Sequence, residues 1–142
     1  MRKLTKLDFP IKLDIGCGKH IIEGFIGMDW QDFGQDIVWD MNHGIPLPDN
    51  SVSEIHTSHF AEHLTNKELS NFFSEMIRVG INGAPITFIT PHSDAQQAYY
   101  LCHFSYWNAK VMQGIVEDSP HLQLIEHQKK DYHFIAKLII KK

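Results

Sequence analysis

The fold is decided by Leu13-Asp14-Ile15-Gly16-Cys17-Gly18, an apolar run that stops in a glycine turn. A second apolar run, Gly24-Phe25-Ile26-Gly27-Met28-Asp29, follows soon after and stops in a carboxylate. Short apolar runs of this kind predict buried strands, here over residues 11–17 and 25–30. Glycines in the turn allow the backbone to approach a ligand without an intervening Cβ. Because ligands of open α/β sheets bind beyond the carboxyl ends of strands, the turn predicts a ligand site.

The rest of the chain continues the alternation of strands and helices. Spaced apolar residues predict a helix over residues 66–79, and the aromatic stretch 92–114 predicts a loop leading into a helix over 107–113. Prolines and a glycine predict a loop over 42–50. Further strands are predicted over residues 36–41, 52–58, 85–90, 121–128 and 132–140, the last two joined by a Lys-Lys-Asp turn. The expected fold is α/β, with a seven-stranded, mostly parallel sheet, a C-terminal antiparallel hairpin and few helices.

Composition limits the class of protein. The 142 residues are 43% hydrophobic, which suits a single domain over residues 1–142 with a normal core. The net charge is −4 and no run of Lys or Arg exceeds a pair, so there is no clear nucleic-acid signature. Residues 1–6 are basic, but no apolar run follows them and no stretch is long enough to span a membrane. With two cysteines expected to be reduced, we expect a soluble, cytoplasmic protein.

Spacing helps to identify the ligand. Asp29, at the end of the second predicted strand, is placed to accept both hydroxyls of a ribose. Six residues separate Gly18 from that strand, which is less than two helical turns at about 3.6 residues per turn. Dinucleotide sites hold their pyrophosphate at the start of a helix in this position, so an NAD-dependent oxidoreductase is disfavoured. A nucleoside without phosphate, such as S-adenosylmethionine (SAM), fits better.

Six segments in register resemble one family. They are the two opening runs together with residues 40–42, 46–52, 58–64 and 75–79. Over residues 11–91 the chain resembles the small class I SAM-dependent methyltransferases, in particular the short proteins with a reduced first helix. The resemblance implies a Rossmann-like class I methyltransferase fold, SAM as cofactor and methyl transfer to an unidentified acceptor. His20 departs from the glycine that longer members often carry, and the C-terminal third matches poorly.

The resemblance also implies roles for individual residues. Asp14 would contact the methionine amino group through water, and Asp29 would accept the ribose hydroxyls. Ser58 and His59 would face the sulfonium and the substrate. The implied cofactor-binding set is Asp14, Gly16, Cys17, Gly18, Asp29, Trp30, Asp40, Met41, Ser58 and His59, with Trp30 beside the adenine, Asp40 on its amino group and Met41 on its other face. The candidates for a general base are His59, Glu62 and His103.

Structural interpretations of the same residues stay open. Gly16 and Gly18 would also suit a plain tight turn, and Asp29 and Asp40 would suit caps or solvated loops. Trp30 and Met41 are, taken singly, more often packing residues. The aromatic segment 99–107 is either a lid over the site or a cover for the sheet.

His59-Phe60-Ala61-Glu62-His63 matches the H-x-x-E-H pattern of zinc peptidases. On a helix, His59 and His63 would bind Zn²⁺ with Glu62 as base, which makes a zinc hydrolase a less favoured alternative. Glu68, Glu75 and Glu117 are the available third ligands, none of them specified by spacing, and no metal ligand is predicted.

The main alternative, favoured over the zinc hydrolase, is a SAM-binding protein of the same fold that is non-catalytic or depends on a partner. In a chain this short we expect no separate substrate domain. A partner protein or a homodimer would then complete the pocket.

Overall fold

Within residues 8–142, which the computed structural model describes, seven strands form one mixed sheet. The strands are β1 (Ile11–Ile15), β2 (Phe25–Asp29), β3 (Ile37–Val38), β4 (Val52–Ser58), β5 (Pro85–Pro91), β6 (Leu122–Lys130) and β7 (His133–Ile140), and the α-helices are α1 (Asn66–Val79) and α2 (Ala109–Glu117). Their order across the sheet is β3-β2-β1-β4-β5-β7-β6. The first five strands are parallel to one another, and β7 is antiparallel to β5 and β6. The predicted fold class is confirmed.

The crossover from β1 to β2 contains no helix in residues 16–24, all of which are described. The two strands nevertheless pair in parallel, with Leu13 opposite Ile26 and Ile15 opposite Met28. A short strap therefore replaces the helix that usually makes this connection. The strap leaves the glycine turn at the carboxyl end of β1, where the sheet order reverses between β1 and β4.

Helix α1 has the bounds that its apolar spacing predicts. Thr65 caps it, and Glu68 reaches back to Thr65 in a reciprocal capping box. Its buried face packs against the sheet through Phe72, Phe73, Met76 and Val79. Trp107 is fully buried against the same face, with its ring 4.7 Å from that of Phe88 on β5 and 6.2 Å from that of Phe73.

Several predicted boundaries are wrong for local reasons. Strand β1 ends at Ile15 rather than residue 17, because Gly16 takes a φ of 72°. Strand β3 keeps only two residues of 36–41, because the Asp40 side chain accepts from the Asn42 amide and starts a short 3-10 turn. Helix α2 lies over Ala109–Glu117 rather than 107–113, because Asn108 caps it. The hairpin turn lies at residues 131–132.

Strand β7 brings a second part of the chain to the site. It runs antiparallel to β5, so its first residue, His133, pairs with Pro91 at the carboxyl end of β5. The start of β7 therefore lies at the same edge of the sheet as the glycine turn. Among the residues described, neither helix is long and apolar enough to cross a membrane. The basic residues 1–6 lie outside the described part.

Candidate functional site

Three neighbouring cavities lie along the carboxyl ends of the parallel strands. The central cavity, of about 610 Å³, is lined by Asp14, Gly18, Asp29, Ser58 and His59 among others. The side cavity, of about 210 Å³, includes Trp39, Asp40, Met41 and Leu64, and it shares Gly16, Asp29, Trp30, Phe60 and His63 with the central one. The histidine cavity, of about 320 Å³, is lined by His59, Glu62, His63, Pro91, Gln97, Tyr100, His103 and Tyr132. The central and side cavities together have the size of a nucleoside site.

The two glycines of the turn have different functions. Both have positive φ values, 72° at Gly16 and 56° at Gly18. A Cβ on Gly16 would lie 2.6 Å from Cδ2 of Phe60, whereas a Cβ on Gly18 would have nothing within 4 Å. Gly16 is therefore required by packing within the protein. Gly18 borders open space in the central cavity, where a ligand can lie against its backbone.

Asp29 lies at the border between the central and side cavities and lines both. Its Oδ2 accepts from the Gly18 amide at 2.9 Å, and its Oδ1 accepts from the Gln31 amide at 3.2 Å. Each carboxylate oxygen has a second lone pair, so both can still accept a hydrogen bond from a ligand. The contact with Gly18 ties the end of β2 to the glycine turn. It also fixes the carboxylate in the cleft.

Asp14 lies on the wall of the central cavity and is buried. His56, on the neighbouring strand β4, donates from Nδ1 to its Oδ1 at 2.9 Å. Sequence reasoning missed His56, because only the pairing of β1 with β4 places it opposite Asp14. The hydrogen bond from His56 offsets part of the free-energy cost of burying the Asp14 carboxylate.

Trp30 and Trp39 are exposed beside the side cavity, whereas Met41 is buried beneath it. The Trp39 indole donates to the Gly44 carbonyl at 3.0 Å, which fixes its ring. Asp40 caps the 3-10 turn Met41–His43, as its structural interpretation expects, and it also lines the side cavity; its role toward a ligand stays a prediction. An apolar slot with one carboxylate at its rim suits a heterocyclic ring.

Cys17 contributes its backbone to the turn. Its thiol is buried, and the ideal Cβ position of Gly27 is 3.0 Å from its Sγ. Burial, together with the charges of Asp14 and Asp29, raises the pKa of the Cys17 thiol to about 11. The thiol is therefore neutral at physiological pH and unsuited to be a nucleophile.

The residues after β4 form a turn rather than an α-helix. His59 has a φ of 55°, and a short 3-10 turn covers Ala61–His63. His59 and His63 are therefore not one turn apart on a helix, as the zinc-peptidase interpretation requires. Two of the third ligands considered are engaged elsewhere, because Glu68 belongs to the capping box and Glu75 pairs with Arg78.

His59 joins the central cavity to the histidine cavity. Its Nδ1 is 3.5 Å from Oε1 of Glu62, whose side chain is only 2% exposed. The His133 ring lies 4.8 Å from the His59 ring, and Tyr132 flanks both. Burial lowers the pKa of His133, and the charge of His59 adds to this effect. Tyr132 and His133 were missed from sequence because only the pairing of β7 with β5 brings them to this edge.

The aromatic segment 99–107 divides into two parts. Ser105 and Trp107 are buried, and the Trp107 indole donates to Ser105 Oγ at 2.9 Å. This end covers the sheet. The preceding residues border the histidine cavity through Tyr100 and His103, while Leu101 is fully exposed. His103 faces the histidine cavity and does not line the central one, whereas His59 lines both.

The residues present fit SAM. A carboxylate with free acceptor capacity lies at the end of β2, open space lies over Gly18, and an apolar slot lies next to both. Of the ten residues implied as cofactor ligands, every one lines the central or the side cavity: Asp14, Gly16, Cys17, Gly18, Asp29, Trp30, Ser58 and His59 line the central one, and Asp40 and Met41 the side one. Their roles toward a ligand stay predictions.

No protein-family model and no curated protein matches the chain. Solved structures do match. A SAM-dependent methyltransferase from Aquifex aeolicus aligns with 95% of this chain and 86% of its own, at 18% identity and a TM-score of 0.68. A 16S rRNA (adenine(1408)-N(1))-methyltransferase with cosubstrate SAM, from Catenulisporales acidiphilia, aligns with 94% of this chain and 85% of its own, at 12% identity and a TM-score of 0.67.

A third similar structure is a complex. A chain from the Haloferax volcanii complex between the Trm112 methyltransferase activator and a methyltransferase aligns with 96% of this chain and 87% of its own, at 12% identity and a TM-score of 0.69. At such identities the likeness concerns the fold. The chain has the fold of the SAM-dependent methyltransferases, as its sequence predicted.

Proposed function

We propose that this protein is a small class I SAM-dependent methyltransferase that binds its cofactor in the central and side cavities. The observation that carries the proposal is the Asp29 carboxylate, which the Gly18 and Gln31 amides hold at the border of the two cavities. A carboxylate in this place can accept both hydroxyls of a ribose. The methyltransferase fold of the chain supports the same ligand.

The cavities would divide the cofactor between them. The side cavity would take the adenine between the exposed tryptophans and Met41, with Asp40 at its amino group. The central cavity would take the methionine part over Gly18, near the Asp14–His56 pair. The bound cofactor supplies an electrophilic methyl group on a cationic sulfur. Ser58 and His59, at the end of β4, would then border that methyl group.

His59 is the residue that we assign as general base. It lines both the central and the histidine cavity, so an acceptor entering from the histidine cavity would meet it before the methyl group. Glu62 faces its Nδ1, which leaves Nε2 to take a proton from the acceptor. A base is needed only for an acceptor that carries a proton at working pH. For any acceptor, the main contribution of the protein is alignment of the two reactants.

Calorimetric titration with SAM tests the cofactor site. The wild type is expected to bind SAM, and Asp29→Asn to bind it about 10–100-fold more weakly, since a hydrogen bond to a charged group contributes about 1.5–3 kcal/mol. Asp32→Asn is the matched control, because Asp32 is exposed and its side chain accepts only from the nearby Gly34 amide among the contacts described. Absence of heat with the wild type, or equal affinities in the two variants, would reject the proposal.

A second candidate function is SAM binding without independent turnover, in a pocket that a partner protein or a second copy completes. The favouring observation is a set of exposed large side chains near the cavities, namely Trp30, Trp39, Tyr99, Tyr100, Leu101, Phe104 and Tyr106. SAM binding without release of S-adenosylhomocysteine, for all acceptor classes offered, would favour this function. Light scattering would then report whether the chain dimerises.

A cytoplasmic location stays a prediction from cysteine usage.

A further inference from the structure

Three metal-ligating side chains meet at the rim of the histidine cavity. His63, Cys102 and His103 each offer one ligand atom, and these atoms all lie within 4.8 Å of one another. They come from two distant parts of the chain, the 3-10 turn after β4 and the segment before Trp107. This set differs from the H-x-x-E-H set, because it includes a cysteine and excludes His59.

Backbone hydrogen bonds hold the two segments together. The amides of Phe104 and Ser105 both donate to the Glu62 carbonyl, at 2.7 and 3.3 Å. The Ser105 hydroxyl donates to the Ala61 carbonyl at 2.9 Å and is itself bound by the buried Trp107 indole. These contacts form without any ligand, and they fix the three residues next to each other.

The His63 ring has the orientation of a metal ligand. Its Nδ1 lies 3.1 Å from the Cys102 carbonyl. A carbonyl only accepts, so Nδ1 carries the proton and the lone pair is on Nε2. Metal-binding histidines are typically oriented by such a contact from the other ring nitrogen. His63 Nε2 also lies 4.0 Å from Oε1 of Glu62.

Within residues 8–142, two buried polar atoms beside the cluster lack hydrogen-bond partners. They are Oε2 of Glu62, a residue that is 1% exposed, and Nδ1 of His103. Both residues line the histidine cavity with His63. An unpaired buried polar group costs about 1–3 kcal/mol. A cation at the rim would offset both costs, because it accepts a nitrogen lone pair and compensates a carboxylate charge.

We propose that His63, Cys102 and His103 bind one divalent transition-metal ion, with Zn²⁺ the best match to two imidazoles and a thiolate, and with the Glu62 carboxylate facing the ion. Zn–N and Zn–S bonds of roughly 2.0–2.3 Å put tetrahedral ligands roughly 3.3–3.8 Å apart, so binding requires the side chains to close by about 1 Å. The Cys102 thiol proton goes to solvent as the metal–sulfur bond forms. His63 also lines the central and side cavities, so the metal site would border the SAM cleft.

Titration of the untagged, chelator-treated protein with Co²⁺ tests the site, because a cysteine ligand gives a thiolate-to-cobalt absorption band in the near ultraviolet. We expect one equivalent of Co²⁺, displaced by Zn²⁺. Cys102→Ser should abolish the band, and His103→Gln should weaken binding at least about 10-fold. Cys17→Ser and His127→Gln, which change a buried thiol and a remote exposed histidine, should bind as the wild type does.

The outcomes are distinct from those for the cofactor. Absence of the band in the wild type overturns the metal site, whatever the SAM titration gives. Full binding by Cys102→Ser together with loss in His59→Gln also overturns it and would assign the metal to the H-x-x-E-H residues. Circular dichroism checks that each variant is folded, which we expect for Cys102→Ser because Cys102 is exposed.

Discussion

Replacing each glycine of the turn with alanine separates the demands of packing from those of ligand binding. Gly16 and Gly18 share the left-handed backbone region, at φ values of 72° and 56°. They differ in what an added methyl group would meet. At Gly16 the methyl would lie 2.6–2.7 Å from three atoms of Phe60, and at Gly18 it would enter open space.

The expected magnitudes follow from this difference. A left-handed conformation costs a non-glycine residue about 1–2 kcal/mol, so Gly18→Ala should lower the free energy of unfolding by about that amount. Gly16→Ala carries the same strain and also overpacks Phe60, whose ring packs 5.3 Å from that of Phe72. Overpacking typically costs about 1–3 kcal/mol. We therefore expect Gly16→Ala to cost roughly 2–5 kcal/mol in total.

Urea denaturation followed by circular dichroism measures both losses, and SAM calorimetry is run on the same proteins. Gly18→Ala should remain folded and bind SAM at least about 10-fold more weakly, because its methyl occupies the central cavity. Phe60→Gly removes all three clashing atoms, so in that background Gly16→Ala should cost no more than Gly18→Ala. Equal losses from the two single variants, or an unchanged penalty without Phe60, would refute the reasoning.

Three further predictions concern other parts of the molecule. Iodoacetamide at about pH 8 should label the exposed Cys102 and leave Cys17 unmodified in the native protein, because burial raises the pKa of Cys17 to about 11. Peptide mass mapping identifies the labelled cysteine, and equal labelling of the two would contradict the prediction. In urea denaturation, Arg78→Lys should lower the free energy of unfolding by about 1–3 kcal/mol, because lysine cannot donate at once to the carbonyls of Ile45 and Leu47 and to Glu75, as the guanidinium does. Lys67→Arg, on the exposed face of α1, is the control, and an unchanged stability of Arg78→Lys would contradict the prediction. Hydrogen bonding from Arg78 lowers the pKa of Glu75 below its usual 4.5, so this contribution to stability is complete above about pH 4.5 and is lost as the pH falls through the lowered pKa. Glu75→Gln should therefore be less stable than the wild type near pH 7 and should lose less stability on acidification to about pH 3. Equal losses of stability in the two proteins would count against this.

The parallel part of the fold could be predicted because its signals are local. Helix α1 matches its prediction at both ends, since apolar spacing sets its face and Thr65 and Gly80 mark its limits. The helix-free crossover follows from the short distance between Gly18 and β2. Strand β3 was overestimated because its apolar residues continue past the point where Asp40 caps a turn, and a side-chain cap leaves little trace in hydrophobic pattern.

The candidate site could be predicted where its residues lie at strand ends, and could not where it depends on pairing between distant strands; the roles of its residues stay predictions. Asp29 follows from its place at the end of β2. His56 was missed because its function is to hold Asp14 on a neighbouring strand, and His133 because β7 reaches the site only by pairing with β5. The cluster of His63 with Cys102 and His103 also depends on tertiary contacts, through the hydrogen bonds to the Glu62 carbonyl.

At His59 the left-handed backbone costs stability, while the imidazole carries the proposed catalytic role. Glycine would adopt the φ of 55° without the roughly 1–2 kcal/mol that any residue with a Cβ incurs there. A search for thermostable variants would therefore favour glycine at this position, and the imidazole between the two cavities would be lost with the strain. Heat resistance gained at residue 59 should come at the expense of turnover.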